Sequence, residues 1–242
     1  MSQKSNLPKK FYQTASVDKD EDNGTFYLVL DCKRAKTPAK NGLSLHSQSA
    51  AHLLADEWHR QETVIDPSNM HVTRMVNAAI DHVSKVIPAV QSEISKYATT
   101  ELLCYRAAQP DKLVKRQNEQ WTPVLDWASQ KFGARFHLRE GVMFIEQPIE
   151  TLEIMDQETR KFEDPVALSA LYTLVTIGGS LCVALAVAHG HMEASQAYKI
   201  CELEADFTSE IYGIDEEAQF RYERRQEEFI AAAKLLLAVT PS

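Results

Sequence analysis

His52, Asp56 and His59 stand at i, i+4 and i+7, the spacing that lines three metal ligands along one helix face. Occupied, such a set would support a small metal-dependent hydrolase. The same stretch presents Glu57, Arg60 and Gln61, and no further ligand follows nearby, so the set also reads as the polar face of an exposed helix. His189 and His191 flank Gly190 at the end of an apolar run, where a histidine pair interacts favourably with a helix C-terminus. Cys32, Cys104, Cys182 and Cys201 are separated by 72, 78 and 19 residues, which makes no CxxC pair, zinc ribbon or small disulfide framework. Cys104 (ELLCYRA) and Cys182 (SLCVALA) lie in apolar runs where a thiol packs as a small hydrophobe, which fits a reducing compartment. No cysteine has a histidine beside it in sequence. A Walker loop, G-x-G-x-x-G, G-x-S-x-G and H-E-x-x-H are all absent. The sequence thus shows no established catalytic or nucleotide-binding motif.

The strongest chemical signal is charge. From Glu193 to Glu228 there are eleven acidic residues against four basic ones, a surplus of seven in a chain whose net charge is −8. A solvated helix face is the plain reading of such a run. The functional reading is an acidic surface that meets a basic partner. An acidic chain is poorly suited to nucleic acid or anionic lipid.

The elements that must carry these residues fall into two kinds. Phe11–Val17, Thr25–Leu30 and the stretches around Thr37 and Leu43–Leu45 have strand composition, with Asp18–Gly24 turning between the first two. Helices then take over. Ser47 is the expected N-cap of the first, Pro88 and Pro110 open two more, and Gly133 ends the stretch WTPVLDWASQKF. A hairpin is expected at Arg135–Arg139 and Val142–Glu146. Beyond Pro148 the pattern is helical, with EASQAYKICELEADFTSEIY as one helix ending at Gly213 and a last helix from about Asp215. On the former, Ile200, Leu203, Phe207 and Ile211 mark a core stripe, and Glu204 sits at its boundary. There it could reach a partner or pair with a local Arg or Lys.

From Val166 to Met192 no charged residue occurs, long enough for a membrane span. Gly178-Gly179 lies in the middle, and Ser169, Thr173, Thr176 and Ser180 share one helical face. These features favour a single helix buried in protein, bent at most by the glycines. At 242 residues, with 44% hydrophobic and 25% charged side chains, the chain is of ordinary globular composition. Only 8 residues are glycine, less than half the usual ~7%, so backbone cradles for phosphate are scarce and ATP binding is not expected. The fold class expected is α+β, with a β-rich α+β domain over residues 1–75 and a helical domain over 76–242. Trp58, Trp121 and Trp127 are expected as packing residues.

Several strings occur in order: FYQTASV, LVLDCKRAKTPAK, ADEWHRQETVIDPSNMHVTRMVNAAID, TTELLCYRA, QNEQWTPVLDWASQKFGA, GGSLCVALAVAHG and LEADFTSEIYGIDEEA. Together, over about Phe11 to Ala238, they resemble the assembly-chaperone family of the F-type ATP synthase catalytic head, whose client is the free alpha subunit. The resemblance implies an N-terminal α+β domain, a C-terminal helical domain and no enzyme activity. It implies that a monomeric chaperone covers the alpha subunit's contact face until the beta subunit displaces it. Glu204 matches the acidic position this family relies on, Trp58 its Glu-Trp in the first long helix, and Tyr212-Gly213 its Trp-Gly. The partner-binding candidates are accordingly Glu204, Asp206, Glu210, Tyr212 and Asp215, with Trp58, Trp121, Trp127 and Gly213 structural. Three residues depart from the pattern: Cys32 replaces a glycine, Thr122 an aspartate and Tyr212 a tryptophan. MSQKSNLPKK has no apolar core of a secretory signal. Only ten residues precede the first string, which favours a bacterial cytoplasm over a mitochondrial matrix.

Overall fold

The computed structural model describes residues 7–213 and 215–240. Part of the N-terminal stretch on which the targeting expectation rests lies outside them. In chain order the elements are β1 (Ala15–Lys19), β2 (Phe26–Leu30), β3 (Lys33–Arg34), β4 (Ser44–Leu45), α1 (Gln48–His59), α2 (His71–Asp81) and α3 (Ile87–Ser95). Then come β5 (Tyr105–Arg106), α4 (Asp111–Phe132), β6 (Arg139–Glu140), α5 (Ile149–Arg160) and α6 (Pro165–Gly178). The chain closes with α7 (Leu181–Ala188), α8 (Ala194–Cys201), α9 (Leu203–Tyr212) and α10 (Glu216–Val239). Strands first and helices afterwards make an α+β chain.

The residues pack into two units. One comprises Met1–Val86, Asp164–Ala170 and Leu235–Ser242; the other comprises Ile87–Glu163 and Leu171–Lys234. A boundary at residue 75 treats the chain as two consecutive pieces, whereas the first unit also recruits the start of α6 and the end of α10. Both late segments bring apolar side chains, among them Leu168, Leu235 and Leu236, all buried.

In the first unit β1 pairs antiparallel with β2 over Ala15↔Leu30 to Lys19↔Phe26. β3 and β4 share the other edge of β2, at Val29↔Arg34 and Phe26↔Leu45. Asp31 turns β2 into β3 with φ 53, and its Oδ1 accepts from the N–H groups of Gln13 and Thr14, both at 2.9 Å. The left-handed position is therefore Asp31, so Cys32 occupies the turn without needing a glycine's freedom. α1 packs on the sheet, and Leu28, Leu43, Leu45, Ala51 and Leu54 are all buried. Ser47 caps α1 as expected, accepting from Ala50 N at 3.3 Å. Glu57, buried on the same helix, caps a different one: its carboxylate accepts from Val72 N, Thr73 N and Thr73 Oγ1 at 2.8, 2.8 and 2.9 Å. Burial pushes that carboxyl above the usual range, against the lowering effect of these bonds. Trp58 is half-buried, donating to Thr73 Oγ1 at 3.1 Å, while its carbonyl accepts from Tyr12 Oη.

The second unit is helical around Trp121, Tyr198, Phe229 and the whole of α7, all buried. The apolar run is two helices and not one. Gly179 takes φ 69, and Ser180 restarts the chain as the N-cap of α7, accepting from Val183 N at 3.0 Å. The fully buried Glu101 completes the cap, accepting from Leu181 N and Cys182 N at 2.9 and 3.1 Å. Two bonded donors at the new N-terminus favour the break over continuation. The hydroxyl stripe dissolves with it: Ser169 donates to Met75 O, Ser180 caps, and Thr176 is exposed. Among the described residues no helix is long and apolar enough to cross a membrane.

Two further expectations are corrected. The stretch ending at Gly213 is broken at Glu202 into α8 and α9, and Ile211 is exposed rather than part of a core stripe. Arg139–Glu140 pairs in parallel with Tyr105–Arg106, and Val142–Glu146 forms no strand, so there is no hairpin. The partner strand came from far upstream, which local alternation does not report. His189 stands at the C-terminus of α7 as expected, with its ring tilted against Trp127 and Phe132, and burial pulls its pKa down.

Candidate functional site

Helix α4 organises the site. Pro110 precedes it, Gly133 ends it at φ 85, and Pro123 is accommodated within its 22 residues. Three of its side chains hold α8 and α9. Trp121, fully buried, donates from Nε1 to Ile200 O at 2.9 Å. Arg116 grips both carboxylate oxygens of Glu210 at 2.8 Å and lies over the Phe207 ring. Gln117 donates from Nε2 to Glu204 Oε1 at 2.6 Å.

Gln117 is fully buried, so its amide is satisfied on both sides. Its Oε1 accepts from Ala107 N at 2.8 Å, which fixes the amide orientation and aims Nε2 at Glu204. Beneath it lies Arg106, also buried, donating to Leu103 O, Gln117 O and Asn118 Oδ1 and lying over the Trp121 ring. Its Nη2 has no acceptor among the described residues, and burial pulls its pKa down. Arg106 and Gln117 were missed by sequence reasoning. Their strings, TTELLCYRA and QNEQW, were noticed, but polar residues beside apolar ones do not announce burial.

Glu204 itself is exposed in the first turn of α9, where the helix dipole favours a carboxylate. Its named side-chain partner is a neutral amide, neither Arg nor Lys. Asp206, also in the first turn, is half-buried; burial and then the Glu210 charge push its carboxyl up, and Tyr222, which bonds to it, is pushed up to about 12 chiefly by its own burial. The hydrogen bonds from Arg116 lower the Glu210 carboxyl below its ordinary value. Tyr212 is 83% exposed, with Ile211 and Phe220 also bare. Gly213 leaves α9 at φ 84. Asp215 caps α10, accepting from Glu217 N and Ala218 N at 2.9 and 3.0 Å, and shares a shallow concavity with Glu216, Gln219, Phe220 and Glu223. The five partner-binding candidates thus lie on α9 and the start of α10. Trp127 stacks on His191 at 5.0 Å.

Nothing here resembles a reaction centre. His52, Asp56 and His59 are exposed on α1, and no group of three His, Cys, Asp or Glu among the described residues could hold a metal ion. The model of the ATP12 chaperone protein family matches residues 9–129. A crystal structure from Agrobacterium tumefaciens, described as a chaperone, superposes with TM-score 0.92 at 41% identity, over 97% of this chain and 87% of that one. The chain belongs to the ATP12 chaperone family. Atp12 from Paracoccus denitrificans is similar at TM-score 0.87 and 33% identity, over 96% of this chain and 99% of its own. The mitochondrial atp12 protein of Schizosaccharomyces pombe is 22% identical over 208 residues, 81% of this chain and 71% of that protein. ATP12 proteins are the ATP synthase assembly chaperones that the ordered strings resemble, and they are chaperones rather than enzymes. The family model ends within α4, so α9 and its carboxylates are matched through the solved structures.

Proposed function

We propose that this ATP12 protein binds the unassembled alpha subunit of the F-type ATP synthase head and shields its subunit-contact surface until the beta subunit displaces it. Glu204 carries the reading: an exposed carboxylate, aimed by a fully buried Gln117, with a neutral amide and no cation as its named partner. A charge supported in this way is available to an incoming Lys or Arg. Asp206 adds negative field beside it, and Ile211, Tyr212 and Phe220 add bare apolar surface. Charges steer and orient such an encounter while aromatic anchors supply affinity, which suits a complex that must later be released. Glu210 takes part only by exchanging Arg116 for a client cation. The protein acts as a monomer, with no nucleic acid or cofactor. Its relatives include bacterial and mitochondrial proteins, so a bacterial cytoplasm or a mitochondrial matrix suits this role.

The test is Glu204→Gln. The new side chain can turn its oxygen toward Gln117 Nε2, so the hydrogen bond survives while the charge is lost. The melting temperature should stay within about 2 °C, a shift of at most ~1 kcal/mol. Suppression of alpha-subunit aggregation should fall. A collapse in stability would make the carboxylate a structural partner. Undiminished suppression would remove Glu204 from the client site.

A further inference from the structure

Residues 141–146, following β6, form a loop with an apolar, unprotected tip. Val142 is 95% exposed, Met143 66% and Phe144 63%. Turn tips are ordinarily built from Gly, Asn, Asp and Ser, and contiguous bare apolar side chains mark places where something binds.

The neck of this loop is pinned. Buried Gln147 uses its side chain as a strand would use its backbone: Oε1 accepts from His137 N at 2.8 Å and Nε2 donates to His137 O at 3.1 Å. Thr151 Oγ1 does the same to Arg135, accepting from its N–H at 3.1 Å and donating to its carbonyl at 2.7 Å. Just before the tip, β6 pairs with β5, and Gly141 N donates to Arg106 O at 2.9 Å. A loop closed at its base and projecting apolar residues has the form of a compact functional loop.

Its root joins the Glu204 site. Arg106 O holds Gly141, the adjoining Ala107 N donates to Gln117 Oε1, and Gln117 Nε2 donates to Glu204. Three hydrogen bonds and one peptide link therefore connect the root of the apolar tip to the carboxylate, within one unit. We infer that Val142, Met143 and Phe144 are a second part of the client surface, an apolar finger that packs on a client face while Glu204 takes a basic side chain from that same face. The inference rests on the alpha-subunit reading above and specifies the partner chemistry: an apolar patch bordered by Lys or Arg. The complement is drawn from both ends of the site. α9 carries negative charge, whereas Arg139 and Glu140 at the loop base are of opposite sign, leaving the tip to select on apolar character.

The experiment compares the full chain, the combined variant Val142→Ser, Met143→Ser and Phe144→Ser, the single variant Val142→Asp, and Glu204→Gln. Each is titrated with purified alpha subunit at low and high salt, and melting temperatures are measured alongside. Both loop variants should bind at least tenfold more weakly at either salt, with unchanged melting, whereas the Glu204→Gln defect should shrink as salt screens the charge. Should the combined variant melt early, the single substitution at the bare tip decides by its own binding. Full binding by the loop variants together with a weakened Glu204→Gln would overturn the finger and leave the acidic site standing. Absence of binding by the unaltered chain would overturn both. A wild-type dimer that the loop substitutions dissociate would make a second copy the occupant and overturn the inference.

Discussion

Glu57→Ala removes a carboxylate that serves a helix other than its own. Two backbone donors at the start of α2, Val72 N and Thr73 N, and the Thr73 hydroxyl lose their acceptor, and both residues are buried. An unmet buried donor costs ~1–3 kcal/mol, and loss of a cap alone ~0.5–2 kcal/mol. Relief from burying a carboxylate offsets part of this, leaving a net loss of about 3 kcal/mol. For a chain of this size that lowers the melting temperature by ~6–12 °C. Glu57→Gln keeps one acceptor oxygen and turns an amide nitrogen toward the remaining donor, so it should lose about half as much. Chemical denaturation of all three proteins, repeated from mild acid to neutral pH, supplies the assay. Burial raises the folded-state pKa of Glu57 above its unfolded value, so its protonation contributes stability that is full below the unfolded pKa. That contribution disappears as pH rises through the folded pKa. The gap between wild type and Glu57→Ala should therefore be widest in acid and narrow toward neutrality. A loss under 1 kcal/mol would mean that water replaces the cap. A gap that widens with pH would mean that the three hydrogen bonds outweigh burial.

Gly178→Ala should destabilise the protein by ~1–3 kcal/mol, because the new Cβ would stand 2.8 Å from Cys201 Sγ and 3.3 Å from Phe229; a wild-type melting curve would show that α8 and α10 give way freely. Thiol titration with a disulfide reagent should find one fast cysteine, Cys32, in the native protein and four after denaturation, since Cys104 and Cys182 are buried and burial also pushes the Cys201 thiol up. Fast reaction of a second native thiol would contradict the packing around α7.

The parts legible in the sequence were those whose causes are local. Alternation with turn residues located β2 and only the Ala15–Val17 part of β1, which runs on to Lys19, and a serine ahead of an apolar period located α1. The acidic surplus, with the resemblance, led to α9. What stayed hidden depended on groups far apart in the chain. Glu101 lies 80 residues before the α7 N-terminus it caps, so the apolar run looked continuous. Val142–Phe144 has strand composition, but composition measures fitness for a half-buried sheet, and no strand was there to receive it. Gln117 and Arg106 drew no notice within their strings, because only the fold brings Ala107, Leu103 and Glu204 to their polar atoms.

The sheet unit closes with the far end of α10: the hydroxyls of Ser47 and Ser49, at the start of α1, both donate to Ala238 O at 2.5 and 3.0 Å. This has a consequence for synthesis. Residues up to Val86 leave the ribosome about 150 residues ahead of Leu235, where the segment that completes their unit begins. At ~5–20 residues per second the interval is roughly 7–30 s. During that time the second unit, whose pieces run from Ile87 to Lys234, can assemble around α7 while the earlier strands and α1 still lack their final partner. A nascent chain halted before Leu235 should therefore carry protease-sensitive strands and α1, and their full resistance should arrive only once the segment through Ala238 has been made.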